Sequence, residues 1–349
     1  MKNYVFLTTI LFACFSKTSA QTLYVDALKG RDDAKGTAAE PLASLQKAVA
    51  TATNFSGNEP VTIKLGPGVY ELTDKLIPET KNNGNDAARY TIEAMIMPDE
   101  KDWKPTLMPI IQSVSANNDK QFFDHCAGIL ADRANVCIRG IKFLGNTNPT
   151  VDYYYPVEKD TTTLNNLEIS QCYFIGDRYG SVVQGAVYAQ GPGIHVDHCI
   201  FYECKNAVLV FQKLKDFSVT HSIVYGAYEC AFWYGEINAK GPESPFNFSD
   251  NIVSHCRYVW AATKNHDHSY YTFNHSLICE NENYVGMQDG NGGVTPLPAI
   301  EHYNEHGIQK SGTVKLVEVK VEGFSPDYLN LAPNSDGKDI DAGIFKTKR

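Results

Sequence analysis

An eight-residue pattern that recurs between Val136 and Ile278 constrains the fold more than any other feature of the sequence. Each copy reads apolar–x–apolar–x, then a polar or glycine position, a small or apolar position, x and an apolar residue. The copies are "VCIRGIKF", "LEISQCYF", "IHVDHCIF", "FSVTHSIV", "FNFSDNIV" and "YTFNHSLI", and they begin 31, 27, 23, 29 and 25 residues apart. Self-similarity at this period is typical of a solenoid.

The composition of the copies indicates strands rather than helices. Apolar and polar residues alternate with period two, Val, Ile, Phe and Tyr are frequent, and Gly, Asn, Asp and Ser separate the runs. These are the features of short β-strands. Two or three short strands in about 25 residues, wound repeatedly, predict a parallel β-helix whose coils stack about 4.8 Å apart.

Stacking places equivalent residues of successive coils on top of one another. The fifth position of the pattern carries Gln171, His198, His221, Asp250 and His275 in five of the copies, and we expect it at a corner between two strands. The three histidines could be taken for a metal array. Glutamine and aspartate in the same column favour a structural ladder instead.

The sixth position carries small or apolar residues, among them Cys172 and Cys199. Cysteine is often buried as a small apolar residue. We therefore expect these two cysteines to be buried neighbours in adjacent coils and mostly unpaired, although a disulfide between them is geometrically feasible.

Three segments near the ends of the chain carry a family resemblance. Residues 24–52, "YVDALKGRDDAKGTAAEPLASLQKAVATA", combine a strand, a turn rich in Gly and Asp, a proline and an "SLQxA" helix; "VTIKLGPGVYEL" follows at 61–72, and "DIDAGIF" lies near the C-terminus. They resemble secreted right-handed β-helix proteins of the pectate-lyase-like superfamily. The resemblance implies an all-β, right-handed parallel β-helix of about ten coils with a short N-terminal capping helix, which would close the first open coil.

We expect a signal peptide at 1–20 and one β-helix domain at 21–349, with the capping segment at about 41–55 and coils at about 60–330. Lys2, the apolar run 5–13 and "KTSA" before Gln21 are typical of an export signal. "LFAC" offers Cys14 as an alternative lipid-bearing residue. The chain is therefore expected in the periplasm, outside the cell, or at the outer membrane as a lipoprotein.

The net charge of −9 becomes about −11 when the signal, with its two lysines, is removed. An acidic chain of this kind argues against general nucleic-acid binding, which requires clustered Lys and Arg. It does not exclude an anionic ligand, because a local basic patch can lie on an acidic protein. A monomer that binds a polysaccharide or oligosaccharide, with or without anionic groups, is the expectation.

After each of the clearest repeats comes a further short strand, and in the resembled superfamily these strands and the loops that follow them form the substrate groove. Alternation predicts that Val187, Val208, Phe232, Val259 and Val285 point inward. The next residue of each strand would then point outward: Tyr188, Leu209, Trp233, Trp260 and Gly286. Trp233 and Trp260, with Tyr188 lower down and Gln288 at a strand end, form the predicted sugar platform. A one-residue slip in register would exchange the two faces.

Ionisable residues follow these strands. Lys264 or His266 is the candidate proton-transfer residue, and Glu236 and Arg133 complete the candidate catalytic set. His266 and His268 form a weak metal-binding pattern. Calcium, the one cofactor considered, would prefer the oxygen ligands Asp267, Asp289 and Glu236.

Three functions remain open on the sequence. The leading hypothesis is a polysaccharide lyase that cleaves a uronic-acid-containing glycan by β-elimination, with Lys264 or His266 as base and Arg133 or Tyr188 as helpers. A glycoside hydrolase would need two carboxylates, for which Glu236, Asp267 and Asp289 are candidates. A non-catalytic glycan-binding or surface protein would use the aromatic row alone.

Overall fold

The chain winds into a parallel β-helix with three faces. The structure, a computed structural model, describes residues 21–235, 246–263, 271–288, 293–297, 304–318 and 325–347. In these ranges the strands form one sheet of ten strands and two sheets of eight, here named sheets 1, 2 and 3. No helix of the described residues is long and apolar enough to cross a membrane. The predicted parallel β-helix of about ten coils is confirmed.

The three sheets alternate along the chain, so that successive coils contribute successive strands to each of them. Sheet 1 consists of Gln21–Val25, Val61–Leu65, Tyr90–Ala94, Val136–Arg139, Leu167–Ser170, Pro192–Asp197, Lys215–Thr220, Phe246–Ser249, Tyr271–Asn274 and Asn304–His306. Sheet 2 consists of Gly68–Leu72, Pro109–Ser113, Lys142–Leu144, Tyr173–Ile175, Ile200–Tyr202, Ile223–Tyr225, Ile252–Ser254 and Leu277–Cys279. Sheet 3 consists of Cys126–Leu130, Tyr154–Lys159, Val187–Ala189, Asn206–Val210, Cys230–Tyr234, Tyr258–Thr263, Asn283–Gln288 and the antiparallel Val294–Pro296.

The recurring pattern of the sequence lies in sheet 1, and the strand register follows the pattern. Val136 pairs with Leu167, Leu167 with Ile194, and Ile194 with Phe217, which are the first residues of four consecutive copies. The remaining copies continue the same column, with Phe246 paired to Tyr271. The alignment read from the sequence is therefore confirmed.

The fifth position of the pattern is the corner between sheets 1 and 2. Gln171, His198, His221, Asp250 and His275 all have positive φ, between 38° and 56°. Left-handed backbone is costly for most residues but bends the chain sharply between two strands. The predicted corner column is confirmed, and its polar side chains are discussed with the site.

The sixth position forms a ladder of hydrogen bonds inside the corner. The backbone N–H of Cys199 donates to Oγ of Ser222 (3.1 Å), that of Ser222 to Oδ1 of Asn251 (2.9 Å), and that of Asn251 to Oγ of Ser276 (3.0 Å). Each small polar side chain thus satisfies a buried backbone donor of the preceding coil.

The interior is filled by stacked apolar columns. Phe143, Phe174 and Phe201 stack almost parallel in sheet 2, with ring centroids 4.9 and 5.0 Å apart. Val224 and Val253 continue the column in the next two coils. Repetition of one residue type at one coil position gives each side chain a neighbour of matching shape above and below.

A short helix, Leu45–Ala52, closes the N-terminal end of the solenoid, as the sequence predicts. The side chain of Ser44 caps it by accepting a hydrogen bond from the N–H of Lys47. Leu45, Ala48 and Val49 on one face of the helix join the core of the first coils.

The C-terminal segment packs on the outside of sheet 2. Val314, Leu316, Leu329, Ile340 and Ile344 cover the outward-facing apolar residues of that sheet. The same outer face contributes Tyr173, Ile200, Ile223, Ile252 and Leu277 to a second apolar core. The last five strands of sheet 2 are therefore covered on their outer face as well.

The eight described cysteines are all buried and unpaired. Cys172 and Cys199 are fully buried in adjacent coils, as predicted. Cys204 and Cys256 occupy a second interior corner column and are buried as well. In this fold cysteine acts as a small apolar residue.

Candidate functional site

The outer face of sheet 3 carries a cluster of aromatic residues that is largely buried, since Tyr155, Tyr188 and Trp233 are 3%, 6% and 8% exposed. Strand register aligns Glu158, Tyr188, Leu209, Trp233 and Ala261 in one outward column. Two further rings extend the column sideways, since those of Tyr155 and Phe211 lie 4.7 and 4.9 Å from the ring of Tyr188, and Val294 packs nearby. We call Tyr155, Tyr188, Leu209, Phe211 and Trp233 the aromatic face.

A cavity of about 220 Å³ opens on the aromatic face. Tyr155, Phe211 and Trp233 provide apolar walls, and Lys205, Glu229 and Gln288 provide polar groups. Glu229 accepts a hydrogen bond from Asn206 (2.8 Å). Ring faces combined with a few polar groups are the chemistry that binds sugars, whose C–H faces stack on aromatic rings.

Four ionisable side chains converge at the N-terminal end of this face, and we call Asp119, His125, Glu158 and Asp160 the carboxyl–histidine cluster. Glu158 and Asp160 stand two residues apart at the end of one strand of sheet 3, so both point outward. Asp119 and His125 come from the loop before sheet 3, where their backbones pair as an antiparallel bridge. All four are buried.

His125 and Glu158 form the centre of the cluster. Nε2 of His125 lies 2.8 Å from Oε1 of Glu158, and Nδ1 lies 2.9 Å from the carbonyl oxygen of Phe123. Burial alone would lower the pKa of His125, but the hydrogen bond to Glu158 and its charge outweigh burial and raise that pKa. The imidazole ring also contacts the ring of Tyr155 (5.4 Å), which joins the cluster to the aromatic face.

Asp160 is the least satisfied member of the cluster. Neither of its carboxylate oxygens is exposed, and neither accepts a hydrogen bond from a residue that the structure describes. Burial first, then the neighbouring charge of Glu158, raises the pKa of Asp160 to about 8. A proton on Asp160 would supply the missing O–H donor toward Glu158, so the pair is expected to hold one proton at neutral pH.

Asp119 has the opposite environment. Nζ of Lys75 lies 2.5 Å from its Oδ2, and the N–H of Gln121 donates to its Oδ1 (2.8 Å). Burial alone would raise the pKa of Asp119, but these hydrogen bonds and the charge of Lys75 outweigh burial and lower it. The cluster therefore places an ionised carboxylate close to a protonated one.

The lysine between the two strand carboxyls does not neutralise them. Lys159 pairs in register with the core residue Ala189, so its side chain points inward, away from Glu158 and Asp160. Its ammonium group donates to the carbonyl oxygens of Gln190 and Thr161. Burial lowers the pKa of Lys159 to about 8.

The cluster has the composition of a metal site, but its contacts favour a proton. Ligand atoms of Asp119, His125 and Asp160 all lie within 4.8 Å of one another. However, both ring nitrogens of His125 already have partners, and Asp119 is already paired with Lys75. A cation would have to displace these contacts.

A second group of metal-binding types, Asp197, His198 and His221, belongs to the corner column. The rings of His198 and His221 stack 4.5 Å apart, and Nδ1 of His221 lies 3.0 Å from Oδ1 of Asp197. Lys346 of the C-terminal segment pairs with the same carboxylate (3.0 Å). These contacts agree with the structural ladder that the sequence predicts.

Two residues of the predicted sugar platform point outward but are buried, with Tyr188 6% and Trp233 8% exposed, and their role in binding stays a prediction. Tyr188 and Trp233 lie in the outward column, and Gln288 lines the cavity. The prediction that Trp260 faces outward was wrong. Trp260 pairs with Phe232 rather than Trp233, is fully buried and belongs to the interior core. The cause is a one-residue slip in that strand, since Ala261 takes the outward position beside Trp233.

Arg133 lies away from the aromatic face. Its guanidinium is buried, donates to Thr80 Oγ1 (2.9 Å) and to the carbonyl oxygen of Ala88, and lies over the ring of Tyr90. Arg133 thus ties neighbouring loops together. The other candidates, Glu236, Lys264, His266, Asp267 and Asp289, lie outside the described residues.

The sequence prediction missed the carboxyl–histidine cluster. A signal was present in "YYYPVEKD", where two acidic residues alternate around a lysine at the end of an aromatic strand. Alternating charges in a strand place both carboxyls on one face. No comparable pattern marks Asp119 and His125, since a loop brings them together.

Comparisons with known proteins show similarity at the level of fold. No protein-family model matches the sequence, and no curated protein matches it. Among solved structures, a "Rhamnogalacturonan lyase" is 11% identical, covering 93% of this chain and 100% of that chain, with a TM-score of 0.42. A complex of XylC with xylose is 11% identical (84% and 70% covered, TM-score 0.43), and YbhC of Escherichia coli is 10% identical (88% and 88% covered, TM-score 0.40). Likeness at this level says nothing about activity.

Proposed function

We propose that this protein is a carbohydrate-active enzyme that hydrolyses glycosidic bonds, with Asp160 as the proton donor. The observation that carries the proposal is the placement of Asp160, which is buried among carboxyl groups and receives no hydrogen bond at either oxygen from the described residues. A carboxyl group in such surroundings keeps its proton near neutral pH. Protonation of the leaving oxygen by a carboxylic acid is the first requirement of glycoside hydrolysis.

Asp119 is the second carboxylate of the proposed mechanism. Lys75 keeps it ionised, and its oxygen lies within 4.8 Å of Asp160. Retaining glycosidases separate their two carboxyls by about 5–5.5 Å and inverting ones by about 6.5–9.5 Å. The short separation supports attack by Asp119 on the sugar and net retention of anomeric configuration.

Glu158 and His125 position the donor. Glu158 accepts the hydrogen bond of His125 and raises the pKa of Asp160 by its charge. The carbonyl oxygen of Phe123 fixes the orientation of the imidazole. Removal of either residue would therefore change the pH at which Asp160 gives up its proton.

In this proposal the sugar binds beside the cluster at the cavity that the aromatic face partly lines. Glu158 is the in-register neighbour of Tyr188, so the carboxyl groups lie one coil from the ring surface. Phe123 and Tyr153, which are 39% and 41% exposed, extend the rings toward solvent and lie 5.4 Å apart. A chain of sugar units could lie along this face with one linkage at Asp160.

The charge of the cluster disfavours β-elimination at this position. A lyase must neutralise the carboxylate of its substrate and remove a proton with a base. The three carboxyl groups of the cluster have one lysine beside them, Lys75, and it is already paired with Asp119. A neutral sugar unit therefore suits the cluster better than a uronate. The lyase bases considered from the sequence, Lys264 and His266, lie outside the described residues.

Substrate access requires a movement of the loop that carries Asp119 and His125. Both oxygens of Asp160 are inaccessible when this loop lies against sheet 3. The loop is held by the Lys75–Asp119 and His125–Glu158 contacts. A bound sugar would then give Asp160 the hydrogen-bond partner that the described residues do not supply.

The test is a panel of purified neutral and acidic polysaccharides. Hydrolysis raises reducing ends without an increase in near-ultraviolet absorbance, and NMR of the first product shows the retained anomer. An unsaturated product would instead establish β-elimination. Binding without any new reducing end would establish a glycan-binding protein, and either result overturns the proposal.

A further inference from the structure

A second cavity, of about 460 Å³, lies along the turns that lead from sheet 2 to sheet 3. Five successive coils contribute to it through Arg178 and Tyr179, Glu203, Tyr228, His255 and Arg257, and Glu282. It adjoins the cavity on the aromatic face, because the turns that supply Glu203 and Tyr228 here supply Lys205 and Glu229 there. One extended ligand could therefore contact both.

Two arginines in this cavity have donors without a partner. Arg178 lies over the rings of Tyr228 (5.2 Å) and Tyr179 (5.8 Å), and Arg257 lies over Tyr258 (5.5 Å). Neither guanidinium forms an ion pair or side-chain hydrogen bond with another residue that the structure describes. Stacking orients the planar groups but leaves their N–H donors unused.

The other described arginines behave differently. Arg31 pairs with Asp33, Arg89 with Glu168 and Arg139 with Glu93. Arg133 donates to Thr80 and to backbone carbonyls. Among the described arginines, guanidinium groups without such a partner are thus found only in this cavity. Paired N–H donors of this kind recognise carboxylate, sulfate or phosphate oxygens in a bidentate manner.

The cavity also provides a surface for a sugar ring. Tyr179 is 92% exposed, which is unusual for so large a ring. Its loop is held in place because Oδ1 of Asp177 accepts hydrogen bonds from the N–H groups of Tyr179 (2.9 Å) and Gly180 (3.1 Å). An exposed ring on a fixed loop can stack on a pyranose without a large loss of conformational entropy.

Two acidic residues limit which anions the cavity accepts. Glu203 and Glu282 line the same space but do not pair with either arginine. Burial, then the charges of Asp177 and Glu318, raises the pKa of Glu203. A singly charged group that reaches the guanidiniums directly is favoured over a densely charged one, which would also face these carboxyls.

We propose that this cavity binds an acidic unit of the polysaccharide, with Arg178 and Arg257 holding the anionic group and Tyr179 stacking on the ring. The choice of a sugar rests on the proposed hydrolase function, whereas the choice of an anion rests on the two arginines alone. The acidic unit lies apart from the carboxyl–histidine cluster, which acts on a neutral unit. The substrate class is accordingly a glycan that contains both neutral and acidic sugar units.

The test measures binding rather than turnover, so that it does not depend on activity. Asp160→Asn protein is titrated by calorimetry with a uronic acid homopolymer, the same polymer after reduction of its carboxyl groups, and a sulfated neutral glucan. We expect binding of the uronate polymer, at least tenfold weaker binding of the reduced polymer, and loss of affinity with added salt. Comparable binding of the sulfated glucan would assign the anion to sulfate as well as carboxylate and still support the proposal.

Variants distinguish binding by these two arginines from a general effect of the protein's charge. Arg178→Gln combined with Arg257→Gln should weaken binding of the uronate polymer at least tenfold, whereas Arg31→Gln, which removes the same charge from the exposed Arg31–Asp33 pair, should not change it. Circular dichroism checks that each variant is folded. The proposal is overturned if the Asp160→Asn protein with both arginines intact binds charged and reduced polymers equally, or binds none of the anionic polymers. It is also overturned if the double arginine variant binds the uronate polymer as tightly. A negative result here leaves the role of Asp160 untouched, since that is measured by hydrolysis.

Discussion

His125 and Glu158 are 33 residues apart in the sequence, yet Nε2 of the histidine lies 2.8 Å from Oε1 of the glutamate in a contact that is almost fully shielded from water. One comes from a loop and the other from the end of a strand in sheet 3. The contact fixes the loop against the sheet and places Asp119 beside Asp160. Stability and proton chemistry are therefore coupled in this region.

Asp160 should make the protein less stable as the pH rises. Its pKa is higher in the folded chain than in the unfolded chain, so the folded state holds the proton more tightly. The stabilisation is complete below about pH 4 and is lost as the pH rises toward about 8. Asp160→Asn should remove this dependence and raise stability at pH 8 by about 1–3 kcal/mol.

Urea denaturation at pH 5 and pH 8 checks this prediction. His125, whose pKa is also raised, gives the wild type a slope of the same sign, so the comparison is the difference between variant and wild type. Asp132→Asn, at an exposed position one coil lower, is the matched control. Equal stability changes for Asp160→Asn at both pH values would contradict the assigned protonation of Asp160.

The two tryptophans of the sheet 3 strands should respond differently to truncation. Trp260→Ala leaves a large cavity in the interior and should lower stability by about 3–5 kcal/mol. Trp233→Ala acts on the aromatic face and should cost less stability, but it should weaken glycan binding by about 1 kcal/mol. Thermal unfolding and calorimetric titration of both variants measure the two effects. A larger stability loss for Trp233 than for Trp260 would reverse the assignment of faces.

The eight described cysteines should behave as buried free thiols. Ellman's reagent should label essentially none of them in the native protein, because all are buried. Denatured protein that has not been reduced should label at all eight. Fewer labelled thiols after denaturation would indicate a disulfide and contradict the packing of Cys172 and Cys199.

Asp197 should stabilise the protein at neutral pH and lose this contribution in acid. Burial alone would raise the pKa of Asp197, but its pairing with His198, His221 and Lys346 outweighs burial and lowers that pKa strongly. The contribution is present above pH 4 and is lost as the pH falls. Asp197→Asn should lower stability at pH 7 by about 1–3 kcal/mol, with a smaller loss at pH 3.

Chemical denaturation of Asp197→Asn measures this prediction, with the exposed Asp33→Asn as control. Chelator should leave the stability of the wild type unchanged, because Asp197 is already paired with His198, His221 and Lys346. A destabilisation by chelator that disappears in the Asp197 variant would show a metal in the column and contradict the ladder.

The repeat allowed most of the fold to be predicted, because stacking forces equivalent residues into register. The column from Val136 to Phe217 and the corner at His198 follow directly from the spacing of the copies. Trp260 shows where that reasoning ends. Its strand is apolar at several successive positions, so period-two alternation alone does not decide which residue faces inward. The pairing of Trp260 with Phe232 of the preceding coil decides it.

The candidate site could be predicted less well, for two physical reasons. Glu158 and Asp160 lie in a strand whose alternation was readable, but their charges resemble those of an ordinary solvated strand end. Asp119 and His125 reach them only through a loop conformation that no periodic pattern encodes. Contacts between a loop and a sheet depend on packing rather than on local sequence.

The most direct test of the central claim is the initial rate of hydrolysis by Asp160→Asn relative to Asp132→Asn on whichever polysaccharide the wild type cleaves. Both substitutions replace one carboxyl group by an amide in neighbouring coils at the same sheet edge, but of the two residues only Asp160 is buried in the cluster. If Asp160 donates the proton to the leaving oxygen, its variant should lose about 10²–10⁴ in rate, and Asp132→Asn should stay within about twofold of the wild type. An Asp160→Asn protein that is folded and retains the wild-type rate would show that the carboxyl–histidine cluster is structural and that the chemistry lies elsewhere.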